Sequence, residues 1–389
     1  MAERHVEIAG AGFSGLTIAT ALAQRGWSVR VHERAPEVRA FGAGIWLWDN
    51  GIRVLNAIGA ADEALDGCTE AKVWESWDRT GDLIDRVQFG IGGGSRVFCV
   101  VRQQLLMAIL HAAERAGVEV CTNSEAVGAT ADGALKLASG ETLKADLVIG
   151  ADGIRSKVRD SLGLLKRRHV HIDGAIRVLI PRTAEEYETE EGRKIREWWY
   201  GSRRLLYTPC SKDVVYLCFT MMARDKEAAE IPLRKEVWAR SFPQLKHMID
   251  RVGTDGRYDR FETSRLHRWS KGRVAIMGDA AHSMSPGLGQ GGGSSLVSAL
   301  TLPALIDEMG AIEPALEAWE TALRPLAEHT QRWSKITWPL IPWPAWVARR
   351  YYAFPLAKGW IAKQRMRPSL HVAKGTEGHR LWVPTRAGV

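Results

Sequence analysis

Residues 5–33 read HVEIAGAGFSGLTIATALAQRGWSVRVHE, and no other stretch restricts the fold of this chain as strongly. A short apolar run ends in glycines. Leu16, Ala19 or Thr20, and Ala23 then recur at helical spacing up to Gly26, and a second apolar run ends on Glu33. The pattern is a β-α-β unit with Gly10-x-Gly12-x-x-Gly15 at the strand-to-helix turn and an acid about twenty residues on. The first two glycines allow a tight turn and close approach of backbone to a pyrophosphate, and the third lets the helix lie near the strand. The helix N-terminus offers free N–H groups and positive potential to phosphates. Glu33 is placed to accept hydrogen bonds from a ribose diol. A G-x-G-x-x-G alone is weak evidence, but strand, helix, second strand and terminal acid in register point to a dinucleotide site.

Two later stretches have the same style. The hairpin-like ADGALKLASGETLKADLVIGADG ends a buried strand at Gly150–Gly153, and GRVAIMGD ends another at Gly278–Asp279 before a run of glycines. One long cofactor touching several loops of one sheet would explain all three. Between them, RQQLLMAILHAAERAG is an amphipathic helix, and FGAGIWLWDNGIRVL reads as a glycine-rich loop leading into a helix. Residues from about 165 to 270 change character. Strand-like AIRVLI, RRLLYTP and VVYLCFT alternate with charged segments such as TAEEYETEEGRKIREWW, expected as helix. That is how a sheet-based domain inserted into the first would look.

At this point the chain resembles a known family, the single-component FAD-dependent aromatic hydroxylases, and within it the pyridine-carboxylate oxygenases. The resemblance rests on GAGFSG, GADGIRSKVR and GRVAIMGDAAHSMSPGLGQGGG, with FGAGIWLWDNGIRVL and RQQLLMAIL between them. It implies an α/β fold: a glutathione-reductase-type, Rossmann-like FAD-binding domain, an inserted mixed β-sheet substrate domain, and a C-terminal helical and irregular tail. The expected division is residues 1–70, 98–165 and 270–330 for FAD, 71–97 and 166–269 for substrate, and 331–389 for the tail.

The resemblance also implies roles. Gly10, Gly12 and Gly15 would cradle the pyrophosphate, Glu33 would hold the adenosine ribose, and Arg34 would lie beside it. Val127 would meet the adenine through its backbone, and Arg102 would reach the ribityl–phosphate region. Asp279 would bind ribityl hydroxyls. Asp152 would stand between FAD and the reductant, with Arg159 ordering its loop. Gly44 would also belong to the cofactor site, Pro286, Gly289, Gly291 and Gly292 would pass the flavin ring, and a helix starting near Gly291 would aim its N-terminus at the flavin. In the family an Asn and a later Asp usually follow this glycine run; here those places hold Gly293 and Ser298.

The implied activity is hydroxylation of a hydroxylated aromatic or N-heteroaromatic, pyridine-type carboxylate by dioxygen and NADH or NADPH, through a flavin C4a-hydroperoxide. Whether the ring is also opened stays open. The cofactor carries the difficult step, so no acid–base residue and no metal site is expected, and His282 is read as structural. Arg204 and Tyr216, twelve apart on consecutive strand-like pieces, are expected as neighbours across a hairpin. An Arg suits a carboxylate or ring oxyanion and a Tyr can stack on a ring; the plain alternative is a surface Arg and a core Tyr. Trp74 and Phe261 stand where the pyridine-carboxylate oxygenases have tyrosines, and with Pro286 complete the expected substrate set. Rival readings are another flavin oxidoreductase of the same fold, such as a dehydrogenase or a membrane-associated quinone-pathway hydroxylase, and a flavin-bound regulatory protein.

Charge is uneven. Residues 331–389 hold eleven Lys/Arg against one acid, Glu377, a surplus of +10, while the rest of the 389-residue chain sums to −2. A uniformly basic nucleic-acid binder would look different, so no nucleic-acid partner is expected. The tail also holds Trp333, Trp338, Trp343, Trp346 and Trp360, with Pro339, Pro342, Pro344 and Pro355 breaking any long helix. Packing on the protein itself or a second subunit is the favoured reading, and contact with an anionic membrane the alternative. Five scattered cysteines and the lack of a secretory-type start suggest the cytoplasm.

Overall fold

A computed structural model describes residues 4–40, 42–92, 94–336, 346–347, 350, 355–379 and 381–383. Its first sheet has six strands, ordered Ser270–Lys271, Val274–Ile276, Leu147–Gly150, His5–Ala9, Ser28–His32 and Glu119–Cys121. All neighbours run parallel except the first pair. Val6, Ile8, Val148, Ile149 and Ala275 are wholly buried, as a parallel sheet covered on both faces requires. Helices Phe13–Ala23, Arg102–Arg115 and Gly291–Met309 pack together around it. Ala9 pairs with Gly150 and Gly150 with Ile276, so the three glycine-rich strand ends emerge side by side.

The second large sheet has seven strands, ordered Tyr258–Leu266, Leu165–Pro181, Val214–Met222, Arg203–Pro209, Ile195–Tyr200, Val73–Asp78 and Leu83–Gln88. It is mixed, since Ile195–Tyr200 runs parallel to Val73–Asp78 and the other neighbours are antiparallel. Successive side chains face opposite ways. Ile176, Leu205, Tyr207, Leu217 and Phe219 point to one core, where Trp238 and Phe242 cover them. Ala175, Ile195, Tyr216, Cys218 and Phe261 point the other way, onto Trp46 and Trp48 of the Gly44–Trp48 strand.

Two expectations change. In TAEEYETEEGRKIREWW only Ala184–Glu188 is α-helical, started by a capping box between Thr183 and Glu186, and a 3-10 turn follows at Glu191–Arg193. IREWWY is a strand, with Ile195 in one core and Trp198 in the other. A β-branched residue and aromatics alternating between two buried faces favour a strand over the helix the charges suggested. In FGAGIWLWDN, Gly44–Trp48 is not loop but a strand paired with Val97–Val101, and helix Asp49–Ala57 follows.

Of the tail, helix Pro355–Met366 is described, whereas Trp338, Trp343, Pro339, Pro342 and Pro344 lie outside the described residues. Trp333 is buried, and its ring meets Trp360 at 5.4 Å. Farther on, Trp382 Nε1 donates to Asp62 Oδ1 at 2.6 Å, and its ring lies against Phe98. Trp346 and Trp360 are exposed. No helix among the described residues is long and apolar enough to cross a membrane.

Candidate active site: a backbone cleft against an aromatic sheet face

The three strand ends touch. Gly10 has φ +99°, and a Cβ there would stand 2.5 Å from the Ala151 carbonyl oxygen. Gly278 has φ +61°, and a Cβ there would overlap the Ser14 hydroxyl. Only glycine meets both demands, a left-handed backbone and no side chain. Buried Arg159 links two of the bends, donating through one guanidinium nitrogen to the Ile154 and Ala280 carbonyls at 3.1 Å each. Gly12 differs: nothing lies within 4 Å of where its Cβ would be. Its backbone borders open space at the start of helix Phe13–Ala23, as a phosphate-binding turn requires.

Around this cleft stand the polar residues expected from the sequence. Glu33 follows strand Ser28–His32, and its carboxylate accepts from the Ala11 N–H at 3.1 Å and the Ala35 N–H at 2.9 Å. Arg34 beside it is exposed, and so is Val127. Asp152 Oδ2 accepts the backbone N–H groups of Lys157 and Val158, while Oδ1 is buried without a partner. Burial raises this carboxyl, and a hydrogen bond from Ser156 opposes the shift. Asp279 is solvent-accessible, yet burial still raises its carboxyl against the pull of Arg102. A side chain that water reaches but protein surrounds lies on a groove floor.

Arg102 begins helix Arg102–Arg115 with its Cζ 5.0 Å from the Phe13 ring centre and its Nε buried without a partner. Burial lowers its basicity, Arg177 adds to that, and Asp279 opposes it. A narrow groove with bare backbone at Gly12, an orphaned guanidinium N–H and an orphaned carboxylate oxygen fits the pyrophosphate and hydroxyls of FAD.

Pro286–Leu288 forms a 3-10 turn with Pro286 exposed and Leu288 buried, Gly289 turns back with φ +62°, and helix Gly291–Met309 starts directly after. Trp48 Nε1 donates to the Gly289 carbonyl at 3.2 Å, which fixes the loop to the aromatic face. Gly292 lies close to Ile45, where a Cβ would come within 2.7 Å of its side chain. The place of the missing family Asn is taken from another element. Asn50 Oδ1 would be 2.8 Å from a Cβ at Gly293, and Asn50 Nδ2 donates to Gln290 Oε1 at 3.3 Å and the Pro368 carbonyl at 2.9 Å. At the second departure, the Ser298 hydroxyl is buried without a partner. His282 packs against Trp269, and burial lowers its imidazole to about 4, so it is neutral at physiological pH.

Opposite the glycine loop lies the sheet face carrying the expected substrate residues. Tyr216 is buried against Gly44, where a Cβ would come 2.6 Å from its ring. Trp74 meets Trp46 edge-on at 5.3 Å, and Phe261 lies 5.5 Å from the Arg177 guanidinium. Arg204 and Tyr216 share this face but are not opposite one another. Arg204 pairs with Thr220 and Tyr216 with Thr208, four residues apart along the ladder. The turn between the strands sets this register, and counting residues does not reveal it. Arg204 is also not open: its Nε stands 2.8 Å from Glu197 Oε1, which is buried.

Two residues of this face escaped sequence reading. Arg177 sits between Tyr216 and Phe261 with Asp259 3.9 Å away. Glu197 neutralises Arg204. For Arg177 the alternation in AIRVLI is a signal, one charged residue on the face shared with Ala175. Glu197 fell within the segment read as helix.

Residues 3–331 match the family described as FAD binding domain. The chain is 44% identical over 333 residues to 2-heptyl-3-hydroxy-4(1H)-quinolone synthase of Mycobacteroides abscessus, covering 85% of this chain and 89% of that one. It is 27% identical over 334 residues to 6-hydroxynicotinate 3-monooxygenase of Pseudomonas fluorescens, covering 79% and 83%. Among solved structures it is similar to the tetrameric form of 2-methyl-3-hydroxypyridine-5-carboxylic acid oxygenase, with TM-score 0.83, 40% identity, and coverage of 90% and 97%. With its cleft, its fold and these likenesses, the chain belongs to the FAD binding domain family, as an enzyme of the FAD-dependent monooxygenase kind.

Proposed function

We propose that this enzyme hydroxylates an electron-rich, oxygen-bearing N-heteroaromatic of the 4-quinolone type. One atom of dioxygen enters the ring, the other leaves as water, and NADH or NADPH supplies the two electrons. The observation that carries this reading is the Arg204–Glu197 ion pair on the face that carries Tyr216 and Phe261. With Arg204 neutralised, the face suits a flat, weakly charged ring better than a carboxylate, and the quinolone named in the 44% identical relative is such a ring.

Bound in the cleft, FAD takes up the reducing equivalents and supplies activated oxygen. Gly10, Gly12 and Gly15 would hold its pyrophosphate, Glu33 and Arg34 its adenosine ribose, and the Val127 backbone its adenine. Arg102 and Asp279 would hold the ribityl and phosphate groups, and Asp152 would stand between FAD and the reductant. Gly44, Pro286, Gly289, Gly291 and Gly292 would line the flavin ring. Trp74, Tyr216 and Phe261 stack on the substrate ring, and Trp46 and Trp48 exclude water. Burial keeps the Tyr216 hydroxyl protonated and so a donor toward a ring oxygen.

Pyridinol carboxylates are the second reading. Arg177 favours them, since its ion partner, Asp259, lies as far as 3.9 Å away. The deciding experiment measures NAD(P)H consumption with 2-alkyl-4-quinolones and with pyridinol carboxylates, with mass spectrometry of the products. Stimulation by the quinolones and gain of one oxygen atom support the first reading. Stimulation by the carboxylates alone overturns it.

A further inference from the structure

We propose that Arg365, at the end of the C-terminal helix, is a substrate-binding residue whose guanidinium meets the ring oxygen of the aromatic substrate. The inference rests on the hydroxylase reading above and extends it to a segment outside the family match, which stops at residue 331.

Helix Pro355–Met366 reaches the aromatic face. Arg365 Cζ is 5.4 Å from the centre of the Trp74 ring, and Met366 packs on the cluster containing Trp46, Trp48, Tyr216 and Phe261. The position is tethered on both sides. His329 Nε2 lies 2.9 Å from the Gln364 carbonyl, and Asn50 Nδ2 donates to the Pro368 carbonyl at 2.9 Å. Asn50 also bonds Gln290, just before the helix that follows the glycine loop. The tail therefore sets Arg365 relative to both walls of the site.

Charge distinguishes this arginine from the others nearby. Arg204 is held by Glu197, Arg177 lies within 4 Å of Asp259, and Arg102 stands in the field of Asp279. Arg365 has no carboxylate within ion-pair distance among the described residues. Beside it, Trp74 Nε1 is buried without an acceptor. A planar cation and an indole N–H at one place form a donor pair that lacks its acceptor. An oxo or oxyanion oxygen on a ring stacked against Trp74 supplies it, with a charge-assisted hydrogen bond from the guanidinium.

The test compares binding of a 4-quinolone and of the same ring without its oxygen, by flavin-absorbance titration of the wild-type holoenzyme and of Arg365→Ala, Arg365→Gln and Arg365→Lys. Wild type is expected to prefer the oxygenated ring. Arg365→Ala and Arg365→Gln should lose about tenfold of that preference, the worth of one charge-assisted hydrogen bond. Arg365→Lys should restore part of it, and flavin content should be equal in all four. Should Ala fail to fold, Gln, which keeps a long stem on Trp74, carries the comparison. If both neutral variants keep the wild-type preference, the assignment is wrong. If wild type binds pyridinols and no quinolone, the substrate class above fails, and the same comparison on the pyridinol still decides Arg365.

Discussion

Arg204 Nε stands 2.8 Å from Glu197 Oε1, with both side chains largely withdrawn from water. Breaking a buried pair by removing one partner strands the other charge, a loss of about 3–5 kcal/mol, whereas replacing both with apolar residues is close to neutral. Arg204→Ala is therefore expected to lower the melting temperature markedly, and Arg204→Met with Glu197→Leu to recover most of it. Thermal unfolding of the three proteins checks this. A single variant costing under about 1 kcal/mol would mean the pair behaves as a surface ion pair.

Gly10 and Gly12 separate folding from cofactor binding. A methyl group at Gly10 meets the Ala151 carbonyl in a left-handed backbone, a strain of about 1–3 kcal/mol, so Gly10→Ala should lose both stability and flavin. A methyl at Gly12 meets no protein atom. Gly12→Ala should keep the stability of the flavin-free protein and lose flavin, because the methyl would fill the space proposed for the pyrophosphate. Bound flavin per chain and apoprotein melting temperature are the two readouts.

Asp173 carries a stability cost that depends on pH. Both its carboxylate oxygens are buried without partners, and burial raises it from the ordinary 3.8 to about 6, with Arg204 and Arg260 opposing. Between those values the folded chain holds more protons than the unfolded chain, so its contribution falls as pH climbs through the window and the penalty is complete above it. Asp173→Asn should stabilise the protein by on the order of 2 kcal/mol at about pH 7.5 and by little near pH 4. Equal shifts at both pH values would contradict the account.

Asn50 replaces the side chain that the glycine run lacks. Asn50→Ala removes its bonds to Gln290 and Pro368, each worth about 1 kcal/mol. Flavin should dissociate about tenfold more readily, and proteolysis after residue 331 should become faster. Equilibrium dialysis and limited digestion measure the two effects, and neither changing would mean the loop is held by backbone alone.

The dinucleotide unit was legible because its glycines answer local demands: the turn at Gly10 and the close approach at Gly15 are read from spacing. The convergence of three strand ends was legible because parallel strands place their C-terminal ends on one edge. The aromatic sheet face proposed for the substrate was less so. The register that separates Arg204 from Tyr216 depends on turn geometry, and the partner of Arg204 lay in a segment whose charges suggested helix. Asn50 at Gly293 and Arg365 at Trp74 are contacts between residues more than two hundred positions apart, for which no local pattern exists.

The most direct test of the central claim is turnover of the purified flavoprotein with a 2-alkyl-4-quinolone, NAD(P)H and isotopically labelled dioxygen. Substrate-stimulated NAD(P)H oxidation and one labelled oxygen atom in the product are expected. Oxidation that no aromatic ring accelerates, or a product without label, would contradict it.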